Sequence, residues 1–495
     1  MSSAPAPAAA PPVARGAWLA LAVVLGAAFM SLLDTTIVNV ALPTIRTSLD
    51  ASESTLSWII SGYALAFGLA LIPAGRLGDR YGHKWVFITG LALFTAASLA
   101  CGLAQNDLQL IIARVVQGLG GGIFFPAVSA FIQLLFPPMA RGKAFAILGA
   151  VIGVSSALGP LVGGLIIQAL GDETGWRWIF AVNLPIGVIV LVAAIALLPS
   201  EAAGKATSND LIGLVLLSGA LVALLVPLIQ GQEEGWPLWT YLSIGGGVLL
   251  VVLFALWERS VASRGKDPLV PPRLFAHAQF AAGTILALVF FAAFTSIFFT
   301  ISLLWQAGLG HTALESGLVS VPFAIGNIIG ASQSDRLAAR LGRAVLAIGV
   351  ALLTIGLTAL FLILLLVPTA DLTNWTLLGP LLVAGLGSGL FIAPNVRFIV
   401  ATVDRSEAGA ASGVIGTMQR VGAAAGIAVI GSVFFGNIGP IAGPGDLPAA
   451  FGQAATPALA VSATLALVAF LLVFTLPKRV QLQNMLSAAA PAWAA

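Results

Sequence analysis

About fourteen separate apolar stretches run along this 495-residue chain, each close to the roughly 20 residues that an α-helix needs to cross about 30 Å of hydrocarbon. Trp85 to Leu103, Trp178 to Leu198 and Val345 to Val367 are examples. With 59% hydrophobic residues, 8% charged residues and a mean hydropathy of +1.04, no water-soluble arrangement could cover so much apolar surface. The expected class is an all-α polytopic membrane protein.

The predicted spans are 17–43, 55–74, 85–104, 108–136, 143–170, 177–198, 211–230, 240–257, 278–305, 313–333, 344–367, 375–397, 410–436 and 455–476. An even number of crossings puts both termini on one side. Of the 22 Lys and Arg residues, eighteen fall in segments on that side, and only Arg46 and Arg177 on the other; Arg114 and Arg420 lie inside spans. Basic residues are retained in the cytoplasm, so both termini are expected there, with the chain in a cell (inner) membrane. The Ala/Pro-rich head reads as a retained tail, because the first apolar run is too long for a signal-peptide core.

The sequence repeats itself. Gly75-Arg-Leu-Gly-Asp-Arg-Tyr-Gly-His-Lys84, after the second span, matches Asp335-Arg-Leu-Ala-Ala-Arg-Leu-Gly-Arg343, after the tenth, at an offset of 260 (336 − 76). Asp79 meets Ala339, so the acid of this motif is expected in the first copy alone. Gly118-Leu-Gly-Gly-Gly-Ile-Phe124 matches Gly385-Leu-Gly-Ser-Gly-Leu-Phe391 at an offset of 267 (385 − 118), which also carries Gly142, Gly149, Gly159 and Gly164 onto Gly409, Gly416, Gly426 and Gly431. Two parallel six-span halves follow. The expected division is a cytoplasmic tail at 1–16, a six-helix bundle at 17–200, a linker with two inserted spans at 201–277, a second six-helix bundle at 278–477 and a cytoplasmic tail at 478–495.

The segment Gly75 to Lys84 resembles the signature loop of the major facilitator superfamily. Fourteen spans, with Leu33-Asp-Thr-Thr-Ile-Val-Asn-Val-Ala-Leu-Pro43 in the first, resemble the fourteen-span drug:proton antiporters of the multidrug efflux type. The resemblance covers nearly the whole chain. It implies the major facilitator fold and proton-coupled export of lipophilic, neutral or cationic small molecules or drugs by alternating access.

Asp34 is the acidic residue that lies well inside a predicted span, where an ionisable group costs about 2.5–3.5 kcal/mol on insertion scales and normally serves function. Ser31, Asp34, Thr35 and Asn39, at spacings of 0, 3, 4 and 8, are expected on one helical face looking into a central cavity, with Gln117 also lining it. A purely structural Asp34 that fixes helix packing is the alternative. Arg114 is the natural counter-charge, and the resemblance implies that it takes part in proton coupling; a static ion pair is the alternative. Glycines on its face, Gly118, Gly121 and Gly122, let a neighbouring helix approach.

In the fifth span Gly149, Gly153, Ser156, Pro160, Gly163 and Gly164 form a stripe of small residues around a proline pivot. Gly159-Pro160-x-x-Gly163-Gly164 resembles the pattern associated with antiport in this superfamily; ordinary small-residue packing is the alternative. The second half does not repeat it, since Ile427 stands where Pro160 does and Arg420 where Gly153 does. Within the signature segment Gly75, Gly78, Asp79, Arg80, Gly82 and Lys84 are the expected latch. The resemblance implies that Asp79 engages the start of a helix in the opposite half, where the helix dipole favours an anion. A packing role is the expectation for Arg420, with bonds to carbonyls as one form of it.

A lone Cys101 excludes an internal disulfide, and His83, His277 and His311 are too scattered for a metal site to be expected. The chain has no phosphate-loop motif, so direct use of ATP is not expected. No cofactor and no enzymatic activity are expected; the drive is the proton gradient. The partners expected are protons, a small-molecule substrate and the lipid bilayer, with the chain a monomer. The pI near 9.3 calls for no nucleic acid, because basic loops face anionic headgroups. Rival readings are export of an endogenous metabolite, antibiotic or lipid on the same scaffold, uptake by symport, and a membrane-embedded non-transport protein.

Overall fold

A computed structural model of the chain describes residues 15–51, 53–171, 173–200, 210–231, 234–401, 403–404, 407–439 and 443–477. Residues 1–14 of the expected tail 1–16, the tail 478–495, and the basic residues Lys205 and Arg405 lie outside these, while Arg15 and Gly16 belong to the first helix. Long runs of Leu, Val, Ile and Ala, broken by few charges, become helices, and among the described residues fourteen stretches of helix are long and apolar enough to span a membrane.

The first bundle contains α1 (Arg15–Leu49), α2 (Glu53–Tyr81), α3 (His83–Leu103), α4 (Asp107–Leu135), α5 (Pro138–Leu170) and the sixth crossing. That crossing is split at Val182 into α6 (Gly175–Ala181) and α7 (Asn183–Leu197). The inserted hairpin is α8 (Leu211–Gln230) and α9 (Leu238–Ser263), followed by the short α10 (Arg273–Ala276). The second bundle contains α11 (Ala278–Leu303), α12 (Ala313–Val319), α13 (Val321–Leu341), α14 (Ala344–Leu366), α15 (Asn374–Val400), α16 (Ala408–Gly436) and α17 (Leu447–Val473). Local chemistry sets several starts. Asn106 caps α4 by accepting from Gln109 N–H at 2.9 Å, Asp210 caps α8, and Thr312 and Glu315 form a capping box on α12.

Inside each bundle the repeated glycines do the same job. Gly118 on α4 lies so close to the Tyr63 carbonyl of α2 that a Cβ has no room, and Gly385 on α15 meets the Phe323 carbonyl of α13 in the same way. Backbone therefore rests on backbone, the close approach that small residues permit between membrane helices. The residue 260 on from Tyr63 is Phe323, so the sequence offset is also a structural one.

Between the bundles, α2 packs on α16 and α5 packs on α12, α13 and α15, a pseudo-symmetric pair of seams. The inserted helix α8 lies against both α2 and α16, and thus flanks one seam, while α9 packs on α8 and turns most of its surface outward. Trp236, in the turn between them, donates to the Ser432 hydroxyl of α16 at 2.7 Å.

Two expectations need correction. The 75–84 segment is a helix end rather than a loop: α2 runs to Tyr81, α3 starts at His83, and only Gly82, with φ of 90°, makes the turn. The eighth span extends beyond 257, because α9 continues to Ser263 and buries a second acid, Glu258.

Candidate functional site

Asp34 sits near the middle of α1 with no exposed surface, and α4 places Arg114 beside it at 1% exposure. The guanidinium Nη1 donates to Asp34 Oδ2 at 2.6 Å and to Gln117 Oε1 at 2.7 Å, while Nε donates to the Ile59 carbonyl at 3.2 Å. Gln117 is one turn along α4 from Arg114, so both reach the same carboxylate; its Nε2 donates to Asp34 Oδ1 at 2.9 Å. Arg114 also stacks on Tyr63, 4.1 Å from the ring centre.

Two further groups complete the shell, and sequence spacing did not single them out. Asn183 Nδ2 donates to Asp34 Oδ1 at 2.7 Å and to Ser98 Oγ at 3.0 Å; Gln117 Nε2 also reaches Ser98 Oγ, at 3.1 Å. Ser98 in turn donates to the Phe180 carbonyl at 3.0 Å. The usable signal was an amide in the middle of the sixth apolar run, at the point where that helix is split. Tyr63, its hydroxyl 3.2 Å from Ser31 Oγ, was visible as a tyrosine in mid-span. Cys101 is buried against Gln117 Oε1 at 3.5 Å.

The expected single face of α1 is not one working surface. At about 100° per residue Asn39 lies roughly 140° round the helix from Asp34. Ser31, Asp34 and Gln117 point into the first bundle, Thr35 is partly buried and donates to the Ser31 carbonyl at 2.9 Å, and Asn39 is exposed. The acid is thus sealed within one half rather than set on a cavity wall. A cleft does lie between the halves, lined by Phe125, Phe145, Gly149, Ile152, Ile392 and Gln419 among others.

Arg420 follows Gln419 on α16 and packs on a ring rather than on carbonyls. Its guanidinium stacks on Phe67 of α2, 4.1 Å from the ring centre, and among the described residues it has no ion pair or hydrogen bond. Phe67 stands one turn from Tyr63, so two arginines, one from each half, lie over successive rings of α2.

At the end of the bundle bearing residues 75–84, Asp79 accepts from the N–H groups of Gly409 at 2.9 Å and Ala410 at 3.1 Å, the first turn of α16. His83 Nε2 is 3.4 Å from the same carboxylate. Gly75 and Gly409 touch backbone to backbone, and Gly78 leaves space for His83. Arg76 donates to the Pro268 carbonyl of the linker, and Arg80 lies over Tyr81. Lys84 is tied elsewhere, donating to the Ile195 and Leu198 carbonyls at 2.8 Å each, at the end of α7. The second copy does have an acid, one turn earlier than Ala339. Asp335, paired with Arg397 at 2.7 Å, presses on Gly142 near the start of α5, the repeat counterpart of Gly409.

The stripe on α5 divides between two neighbours. Gly159 and Gly163 face Thr36 and Ile37 of α1, whereas Gly149, Gly153 and Gly164 face Ala393, Asn327 and Leu314 of the second bundle. Pro160 lies where Gly317 of α12 crosses. The Ser156 side chain lies outside the described residues. Asn327 reaches across this seam, its amide oriented to donate to the Gly149 carbonyl at 3.3 Å and to accept from Gly389 N–H at 3.2 Å.

Two repeated helical halves of membrane-spanning length, one of them enclosing a buried ion pair, are the architecture of a membrane transporter. The chain belongs to the major facilitator superfamily, whose family model matches residues 24–427. It is 40% identical over 439 residues to the probable actinorhodin transporter of Streptomyces coelicolor, an alignment that spans 87% of this chain and 74% of that one. It is 34% identical over 438 residues to a puromycin resistance protein of Streptomyces alboniger, spanning 88% of this chain and 85% of that one. The solved proton:xylose symporter XylE shares the fold, with a TM-score of 0.66 at 15% identity over 95% of this chain and 98% of that one.

Proposed function

We propose that this transporter is a proton-coupled antiporter that exports lipophilic small molecules by alternating access, in a cell membrane with both termini cytoplasmic. The observation that carries the reading is the sealed Asp34–Arg114 pair, a titratable acid in mid-membrane held by one cation and two amides. A carboxylate so placed is stable while Arg114 stays beside it; when α1 shifts against α4 during the cycle and the contact loosens, the acid takes a proton instead. Each proton driven by about 100 mV supplies roughly 2.3 kcal/mol, enough for a gradient of about 50-fold.

Asp79 on the start of α16 suits a clasp that holds the cytoplasmic end shut, since an anion is favoured at a helix N-terminus. Arg420, without an ion pair among the described residues and next in the chain to Gln419 of the apolar cleft, favours neutral cargo over cationic cargo, because a second cation there would be repelled. Antibiotics are the cargo class that the names of the two relatives support. In this reading the chain works as a monomer with protons, cargo and lipid as its partners, and needs no cofactor.

The test is export driven by a pH jump in vesicles carrying purified protein. Asp34→Asn should insert and fold but lose proton-driven transport; export equal to that of the unmodified chain would overturn the coupling.

A further inference from the structure

Glu258 lies on the inserted helix α9 at 3% exposure, far from the Asp34 shell in sequence and outside every motif of the repeat. Its Oε2 accepts the N–H of Val270, in the linker after the hairpin, at 2.8 Å. Asp210 begins the other helix of the hairpin. Its Oδ1 accepts from Gly213 N–H and from Trp257 Nε1, each at 2.8 Å. The remaining oxygen of each acid, Glu258 Oε1 and Asp210 Oδ2, is buried without a hydrogen-bond partner among the described residues. Both converge on Gly213, where a Cβ would lie 2.4 Å from Asp210 Oδ2 and 2.6 Å from Glu258 Oε1, so the two oxygens are at most 5.0 Å apart (2.4 + 2.6).

Two bare carboxylate oxygens facing each other out of water repel. One proton between them turns that repulsion into a short O–H···O⁻ bond and satisfies both orphaned atoms. The charged group facing the pair from a neighbouring element is Arg76 of α2, and it is committed to the Pro268 carbonyl. Arg264, Lys266 and Asp267, in the turn beyond α9, are exposed. Gly213 also matters here, since any side chain on α8 at that position would push the two acids apart.

We propose that Asp210 and Glu258 share one proton, making the foot of the inserted hairpin a proton-binding site separate from the Asp34–Arg114 pair. The site sits on a strap. Glu258 holds Val270, Arg76 of the 75–84 segment holds Pro268 two residues earlier, and Arg273 three residues later pairs with Glu407 at 2.7 Å, next to the start of α16 that Asp79 grips. Loss of the proton to water leaves two facing carboxylates, loosens Glu258 from the strap, and so reaches both partners of the clasp without passing through the bundle core.

The proposal stands whether or not Asp34 couples transport, and its readout needs no cargo. Infrared spectra of the full chain in lipid nanodiscs, recorded from acid to alkaline pH, should show a protonated-carboxyl band that vanishes as pH rises. Asp34→Asn should keep this band, and Glu258→Gln and Asp210→Asn should each lose it. The folded protein holds one proton more than the unfolded chain over that range, so its thermal midpoint should fall as pH rises. Glu258→Gln should flatten that fall, because its amide N–H supplies the bond the proton supplied. A band that survives in both variants would overturn the proposal, as would coincident pH profiles for Glu258→Gln and the unmodified chain. Two other outcomes also count against it: equal destabilisation of both amide variants at every pH, which means that ionised acids are needed, and a midpoint raised by sodium over choline at fixed pH, which means that a metal cation fills the site.

Discussion

Where the first bundle buries Arg114, the second buries Leu381, the residue 267 on; where the first has Gln117 the second has Ala384, and where it has Tyr63 the second has Phe323. Around these positions the second bundle is an aromatic cluster: Phe290 stacks on Phe391 at 3.9 Å, and Phe294 and Phe298 pack on Phe323 at 5.7 and 5.1 Å. The glycine contacts beneath are the same in both. One helix arrangement thus supports either a polar, charged core or a hydrocarbon one. The choice turns on whether a full set of donors and acceptors can be supplied, because a partly satisfied polar core is worse than an apolar one.

If charge chemistry belongs to the first bundle alone, the largest effect is loss of function at Asp34. Asp34→Asn should abolish pH-driven export, while Phe294→Leu in the aromatic cluster should leave the pH dependence intact; transport by both to the same degree would break the comparison. Next comes stability. Arg114→Leu strands a buried carboxylate and should cost about 3–5 kcal/mol, read as a lowered unfolding midpoint. Asn183→Leu removes one amide from the shell and should cost about 1–3 kcal/mol in the same measurement. The clasps give a smaller contrast. Asp79→Asn weakens charge-assisted bonds to two backbone N–H groups in a site that is 6% exposed and should cost about 1.5–3 kcal/mol. Asp335→Asn touches an ion pair that is about one third exposed, and should cost under about 1 kcal/mol. Reversal of that order would mean that the second clasp is the stronger.

Crossings and the repeat were legible because both are properties of sequence order: apolar runs report spans, and fixed offsets report the two halves. Asp34 and Arg114 were legible because charge is rare in a span. Ser98 and Asn183 were not, since they come from two other crossings and small polar residues carry no such penalty. Asn39 was misplaced on the working face because an eight-residue spacing looks periodic while drifting round the helix. The acid of the second clasp was missed because position-by-position alignment cannot see that Asp335, one turn away, reaches the same place.

The paired contacts at Gly118 and Gly385 limit how the machine can move. With main chain seated on main chain, α2 and α4 form one lever, and α13 and α15 another; neither pair can slide without a collision. Between the bundles Gly75 and Gly409 are seated just as closely, so there too the helices can part but not slide past each other. A chemical tether between α2 and α4 would go unnoticed by the transport cycle, whereas a single tether from α2 to α16 would stop it.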